Sequence, residues 1–318
     1  MLKIIVSIYK SISIILFMIL LLVSKSISHA DTYDMISQLG SSARHIAIGN
    51  VDGFSMGADN IFENPAGLYR INTYALNLFS SKILWDTTYS SMAIAGAINN
   101  KSVWAVGIYE LLINDFDYTN EDSIFLGGPG DWYAQPLGTF DIKNSITKFA
   151  YQYSKNLDTH FGFTTNIYSQ KMVDCNGQGW DIDLGAIYQV GPFETITTIK
   201  NILGNKMHFS NNATETLPRI IQTSSHFLVK NIHFFPQIAL QNKTLTYSIG
   251  AETSLWFFPQ LKFMGGYKTT LNNANEKAKR FSAGIGLDLQ PVSFFYAYEK
   301  GDVIGFNNQH YFSIEFTL

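Results

Sequence analysis

Trp180-Asp181-Ile182-Asp183-Leu184-Gly185-Ala186-Ile187-Tyr188-Gln189 is the stretch that decides how this chain is read. Trp180, Ile182, Leu184, Ala186 and Tyr188 fall on one side of a period-two pattern. Asp181, Asp183, Gly185 and Gln189 fall on the other, and Ile187 alone breaks the alternation. A strand sends successive side chains to opposite faces; a helix would mix the two aspartates with the apolar set. The segment is therefore a strand with one greasy face and one wet face. Two others repeat it. Phe281, Ala283, Ile285, Leu287 and Leu289 oppose Ser282, Gly284, Gly286 and Asp288, and Leu245, Tyr247, Ile249 and Ala251 oppose Thr246, Ser248, Gly250 and Glu252.

Working outward, about fourteen such segments are expected, near 72–80, 86–98, 101–113, 139–154, 159–171, 179–190, 194–202, 218–229, 232–240, 244–255, 260–269, 280–289, 292–299 and 309–318. They are about ten residues long, as a tilted membrane strand requires. Tight turns such as Asn99-Asn100, Asn156-Leu157-Asp158, Gly191-Pro192-Phe193, Lys230-Asn231 and Gln290-Pro291 alternate with longer links. The longer links run from Asp115 to Gly138, Val173 to Gln178, Gly204 to Leu217, Thr270 to Lys279 and Gly301 to Asn308. Short links on one side and long on the other mark an outer-membrane barrel rather than a soluble sandwich. The expected fold is all-β: a transmembrane antiparallel barrel of about fourteen strands over residues 71–318.

Composition agrees. The 318 residues are 46% hydrophobic and only 15% charged, against about 25% charged in an ordinary soluble domain. After the N-terminal thirty residues no run approaches the ~18 apolar residues of a spanning helix. Only strands closed into a barrel pair every backbone group in a bilayer. The net charge of -3 gives no basic face for nucleic acid. Cys175, the only cysteine, sits in a turn-like stretch and reads as incidental.

Both ends carry addresses. Residues 1–30 read as a signal peptide: Lys3 and Lys10, the apolar run Ile12–Val23, then Ser28-His29-Ala30 as a cleavage site, with Asp31 starting the mature chain. At the other end Phe312, Ile314, Phe316 and Leu318 alternate with Ser313, Glu315 and Thr317. This resembles the C-terminal strand by which the barrel assembly machinery recognises its clients, although an ordinary amphipathic edge strand has the same pattern.

Residues 31–70 are glycine-rich and lack alternation. They contain Gly40-Ser41-Ser42-Ala43-Arg44-His45-Ile46-Ala47-Ile48-Gly49 and then Asn64-Pro65-Ala66-Gly67-Leu68. Together with Met264-Gly265-Gly266-Tyr267 and the strands behind them, these resemble the PorV/PorQ family, itself similar to the FadL fatty-acid transporters. Ile48 replaces a usual Met, and Ala43-Arg44 is inverted relative to the family pattern. The resemblance implies a fourteen-stranded barrel whose segment 31–70 folds inside as a hatch, with Asn64, Pro65, Ala66, Gly67 and Leu68 as its motif.

No catalytic constellation stands out, and neither an enzyme activity nor a metal or other cofactor is expected. Asp181 and Asp183 share a face but read as lumen wall rather than an acid pair. His226 and His233 are neighbours on adjacent strands, better read as lumen residues than as a metal pair. The long link holds Phe116, Tyr118, Phe125, Trp132 and Tyr133, an apolar surface for a ligand or partner, or simply for the barrel mouth. The resemblance favours an interaction component of type IX-like protein secretion, with secretion-system subunits and exported proteins as partners. The alternative is a FadL-like transporter of long-chain fatty acids or other hydrophobic molecules. Either way outer-membrane lipids surround the barrel.

Overall fold

The computed structural model describes residues 39–83, 87–119, 124–125, 132–133, 136–173, 175–241, 244–271, 277–301 and 308–318. The expected signal peptide, residues 1–30, lies outside them. Fourteen antiparallel strands close into a barrel. These are β1 Tyr74–Ile83, β2 Thr87–Asn99, β3 Ser102–Thr119, β4 Pro136–Asn156, β5 Thr159–Lys171, β6 Asn176–Val190, β7 Phe193–Lys200, β8 Ile220–Val229, β9 Ile232–Gln241, β10 Thr244–Leu255, β11 Phe258–Leu271, β12 Lys277–Asp288, β13 Val292–Gly301 and β14 Gln309–Thr317. Each pairs with the next, and β14 returns to β1 with Leu78 opposite Ile314 and Ala75 opposite Thr317. Closure removes the exposed edge that an open sheet of this size would carry.

The faces are inverted relative to a soluble barrel. On β6 Trp180, Leu184 and Tyr188 are exposed to the outside, while Asp181, Asp183, Gly185 and Ile187 are buried within. Ile187 breaks the sequence pattern because its inward position is covered by apolar packing, not water. On β14 Phe312 and Ile314 face out and Ser313 and Glu315 face in. Near the short-turn end Tyr74, Trp104, Tyr151 and Phe163 form one outward row across β1, β3, β4 and β5, a level on β2 being occupied by Gly96. The rings of Trp104 and Tyr74 lie over that glycine, so a side chain there would displace them. An aromatic row at the edge of an apolar band is how transmembrane barrels meet the interface.

One boundary differs from the sequence expectation. The link expected from Asp115 to Gly138 is shorter, because β3 runs on to Thr119 and β4 starts at Pro136. Asp115 adopts φ 55 and the register slips between Ile113 and Phe116. A bulge at Asn114-Asp115 breaks the alternation without ending the strand. Residues 124–125 and 132–133 pair within the link. Between β7 and β8, Lys206–Phe209 and Thr214–Thr216 form a hairpin that pairs with the outer end of β6.

Residues 39–71 fill the lumen. They form α1 (Ala43–Ala47), α2 (Asn60–Glu63) and a 3-10 turn (Pro65–Arg70). Both helices are far too short to persist alone, so tertiary packing must hold them. α1 packs on β11 to β14 and the 3-10 turn on β3 to β6. The segment thus bridges opposite walls.

Candidate functional site

The hatch meets the wall at glycines. A Cβ at Gly250 or Gly266 would overlap the backbone of Ile48 and Gly49, one at Gly284 would overlap Ala47, and one at Gly162 the backbone of Pro65 and Ala66. These inward positions are small because hatch backbone, or at Gly284 the Ala47 methyl, lies against them. The same logic explains the hatch motif. Asn64 caps the 3-10 turn by accepting from Ala66 N–H at 2.8 Å, and its Nδ2 donates to the Thr197 carbonyl at 3.0 Å and Thr198 Oγ1 at 2.7 Å on β7. Pro65 opens the turn, where its missing N–H costs nothing. Gly67 faces the Asn60 side chain so closely that any Cβ would overlap it. Ala66 and Leu68 are completely buried.

The first half of the hatch is charged. His45 Nε2 lies 2.9 Å from Asp52 Oδ1, and Lys200 of β7 reaches Asp52 Oδ2 at 2.5 Å. Gln222 also donates to Asp52, Ser224 Oγ donates to its carbonyl at 2.9 Å, and its own N–H donates to Gln237 Oε1 at 2.8 Å. Arg44 pairs with Glu252 of β10 at 2.8 Å and donates to the Phe54 carbonyl at 2.5 Å. Glu63 gathers Ser41 Oγ at 2.7 Å, Ser55 Oγ at 2.5 Å and Gly53 N–H at 2.8 Å. Tyr89 of β2 donates to the Gly40 carbonyl at 2.5 Å.

Burial opposes charge on the His45 ring, but Glu63 and Asp52 outweigh it and hold the imidazole above its usual range. Burial likewise opposes ionisation of Asp52, yet Lys200 and then His45 hold its carboxyl below the usual carboxylate range. Asp59 goes the other way: burial, reinforced by Glu63, lifts it to about 6 despite opposition from Ser42 and Ser55. Glu315 of β14 stands beside it, each carboxylate within 3.6 Å of the Cβ position of Gly57.

The last turn of the hatch is fixed differently. Tyr69 stacks on His160 at 3.7 Å, accepts from Gln189 at 2.6 Å and donates to Glu194 at 3.2 Å. Arg70 pairs with Glu194 at 2.5 Å and donates to the Gly53 carbonyl at 2.9 Å.

On the long-loop side of the hatch, Phe62, Tyr109, Ile146, Tyr168, Pro218 and Ile220 surround a pocket whose polar side is Lys148, Asp183, Lys200 and Asn201. Phe62 stacks on Tyr109 at 4.0 Å. From Tyr109 an inward aromatic track continues over Tyr89 at 5.9 Å, Phe79 at 5.3 Å from Tyr89, and Tyr311 at 6.1 Å from Phe79. The pocket's free volume is about 30 Å³. That is far below the roughly 150 Å³ of an apolar cavity known to take benzene.

Among the sequence-selected residues, the structure gathers Asn64, Pro65, Ala66, Gly67 and Leu68 at the lumen wall. The side chains of Phe116, Tyr118, Phe125, Trp132 and Tyr133 lie outside the described residues. Phe312, Ile314 and Phe316 lie on the outer face, and Leu318 follows β14. Asp183 accepts from Lys148 at 2.6 Å, Asn166 at 2.8 Å, Thr164 at 3.1 Å and Asn201 N–H at 2.9 Å. Asp181 instead caps the β7–β8 link through the N–H groups of Leu203 and Asn205, at 3.0 and 2.9 Å. The two carboxylates are wall and loop supports. His226 and His233 hydrogen-bond at 2.8 Å and stack beside Phe54 and Phe235. Sequence reasoning missed Phe62, Tyr109, Asp52 and Lys200. The available signal was inward parity: Tyr109 and Lys200 sit on the inward phase of their strands.

No family model and no curated protein sequence matches the chain. Solved structures do. The chain is similar to the CymD monoaromatic hydrocarbon channel, with TM-score 0.60 and 11% identity over 88% of this chain and 98% of that one. It is similar to the Ralstonia pickettii toluene transporter TbuX, with TM-score 0.59 and 12% identity over 88% and 98%. It is likewise similar to the Pseudomonas putida toluene transporter TodX, with TM-score 0.59 and 11% identity over 87% and 96%. At this identity the likeness is one of fold. The PorV/PorQ side of the sequence resemblance, and with it the secretion role, finds no support in these likenesses.

Proposed function

We propose that this protein is an outer-membrane channel for small hydrophobic molecules, opened by movement of its hatch. The observation that carries the reading is the pocket between Phe62 of the hatch and the inward aromatic wall at Tyr109 and Tyr168. Its aromatic side, Phe62, Tyr109 and Tyr168, suits a hydrophobic ligand, while Lys148, Asp183, Lys200 and Asn201 form a polar end. The hatch supplies one wall of that pocket, so ligand entry and hatch movement are the same event. No chemistry is needed, only a ligand that binds the open state better than the shut one. The pocket must widen as the hatch moves before it admits even a single-ring compound. Phe125 and Trp132, in the outer link, are suited to first capture. This reading replaces the secretion role, because nothing in the lumen or the similar structures favours protein cargo.

The test is flux of toluene into vesicles carrying the purified barrel. Phe62→Asp places a carboxylate in the pocket and should cut flux at least tenfold while the barrel still resists heat and detergent. Flux indifferent to this change would refute the pocket as the route.

A further inference from the structure

The pocket beside Phe62 has one movable side and one fixed end. Phe62 belongs to the hatch, whereas the polar end belongs to the wall: Lys148 stands on β4, Asp183 on β6, Lys200 on β7 and Asn201 just beyond it. Movement of Phe62 changes the room in the pocket, while the polar groups stay on their strands. What those groups still offer decides which hydrophobic molecules the pocket prefers.

The acceptors at this end are spent. Asp183 Oδ2 takes Lys148 Nζ at 2.6 Å and Thr164 Oγ1 at 3.1 Å, and its Oδ1 takes Asn166 Nδ2 at 2.8 Å and the Asn201 N–H at 2.9 Å. These donors fill the roughly four lone-pair positions of a carboxylate. Asn201 Oδ1 accepts from the Tyr168 hydroxyl at 2.5 Å, and its Nδ2 donates to the Pro218 carbonyl at 2.8 Å. The donors are not spent. An ammonium carries three N–H groups. Among the described residues Lys148 Nζ hydrogen-bonds to Asp183 alone, and Lys200 Nζ to Asp52 alone. The Lys148 side chain is 6% exposed and lines the pocket, so its remaining N–H groups are withdrawn from bulk water.

The charges leave nothing over for an anion. Lys148, Lys200 and His45 stand against Asp52, Asp181, Asp183 and Glu63. A carboxylate ligand would add a negative charge to a group that already holds more acids than bases.

We infer that the pocket selects single-ring compounds carrying a neutral oxygen acceptor, such as an aromatic ketone or alcohol, over the matching hydrocarbon. Lys148 donates to that oxygen, and the ring lies against Phe62, Tyr109 and Tyr168. A hydrocarbon in the same place leaves a buried donor facing carbon, which costs affinity. The inference rests on the channel reading above, and the experiment separates the two.

The probes are acetophenone, benzoate, and isopropylbenzene, which has nearly the shape of acetophenone with a methyl in place of the oxygen. Each is titrated against the full-length barrel held in amphipol, with saturation-transfer NMR reading the bound fraction. Acetophenone should bind roughly tenfold or more tightly than isopropylbenzene, and more tightly than benzoate. Lys148→Met/Asp183→Asn removes the ammonium together with its counter-charge, and should bring the two neutral probes to equal affinity. The wild-type comparison stands even where the double variant fails to fold. No saturable binding of either neutral probe would contradict the channel reading and this inference with it. Equal binding of the two by the wild type, benzoate binding as tight as acetophenone, or a preference for acetophenone that survives in the double variant would overturn this inference alone.

Discussion

The two ends of the hatch are held to opposite walls by different physics. Its first half, Ser41 to Gly53, also meets wall glycines at Ala47 to Gly49, but adds ionised groups: Arg44 with Glu252, and His45 and Lys200 on Asp52. Its Asn64–Leu68 stretch depends on shape: a capped turn, a proline, and glycines that let backbone touch backbone. Charge pairs can be broken and remade, and they respond to protons. Close packing of backbone on a strand either fits or does not. The comparison assigns the movable end to the charged half and the fixed end to the packed half.

The largest effect should come from removing one charge of the movable end. Lys200→Ala strands the Asp52 carboxylate, and breaking a buried pair this way costs on the order of 3–5 kcal/mol. Hatch seating should fail and single-channel conductance should rise sharply, while Lys200→Met/Asp52→Leu should restore the shut state. Next, Gly185→Val on β6 would overlap Asn64 and crowd Pro65. Overpacking of this kind costs about 1–3 kcal/mol. It should lower the unfolding temperature of the barrel, and a conductance change without that loss would show that the packed end moves too. Smaller still is Asn64→Ala, which removes the cap and both bonds to β7. Loss of a cap costs about 1 kcal/mol, read as faster hydrogen exchange at Ala66 and Gly67.

The smallest effect is on pH. His45 sits above its ordinary 6.5 and Asp59 is lifted to about 6 from 3.8. For a group with a raised folded-state value, the stabilising contribution is fully present below the unfolded value and lost as pH rises through the folded one. Seating should therefore be tightest in mild acid and loosen as pH rises through about 6. Asp52, held low, contributes above its ordinary 3.8 and loses that contribution only in stronger acid. Conductance recorded from pH 5 to 8 should rise, and Asp59→Asn should remove the step near 6.

The wall was legible because membrane strands display a simple rule: apolar out, polar in, period two. Each of the fourteen segments expected from alternation is a strand of the barrel. The rule failed where geometry hid it. Asn114-Asp115 looked like a loop because a bulge and a positive φ interrupt the phase of β3, and Ile187 looked misplaced because the lumen is filled rather than wet. The hatch has no period, since its residues are covered on all sides. Only its turn motif was visible, and the pairing of Asp52 with Lys200 crosses 148 residues that no local pattern connects.

The most direct test of the hatch as gate pins it at its charged end. Ala43 N–H donates to Ser313 Oγ on β14 at 3.2 Å, so Ala43→Cys/Ser313→Cys places two thiols at that contact. Toluene flux into vesicles is then measured with the bond oxidised, confirmed by mass, and again after reduction. The account predicts flux abolished in the oxidised protein and restored on reduction. Equal flux in both states would contradict it.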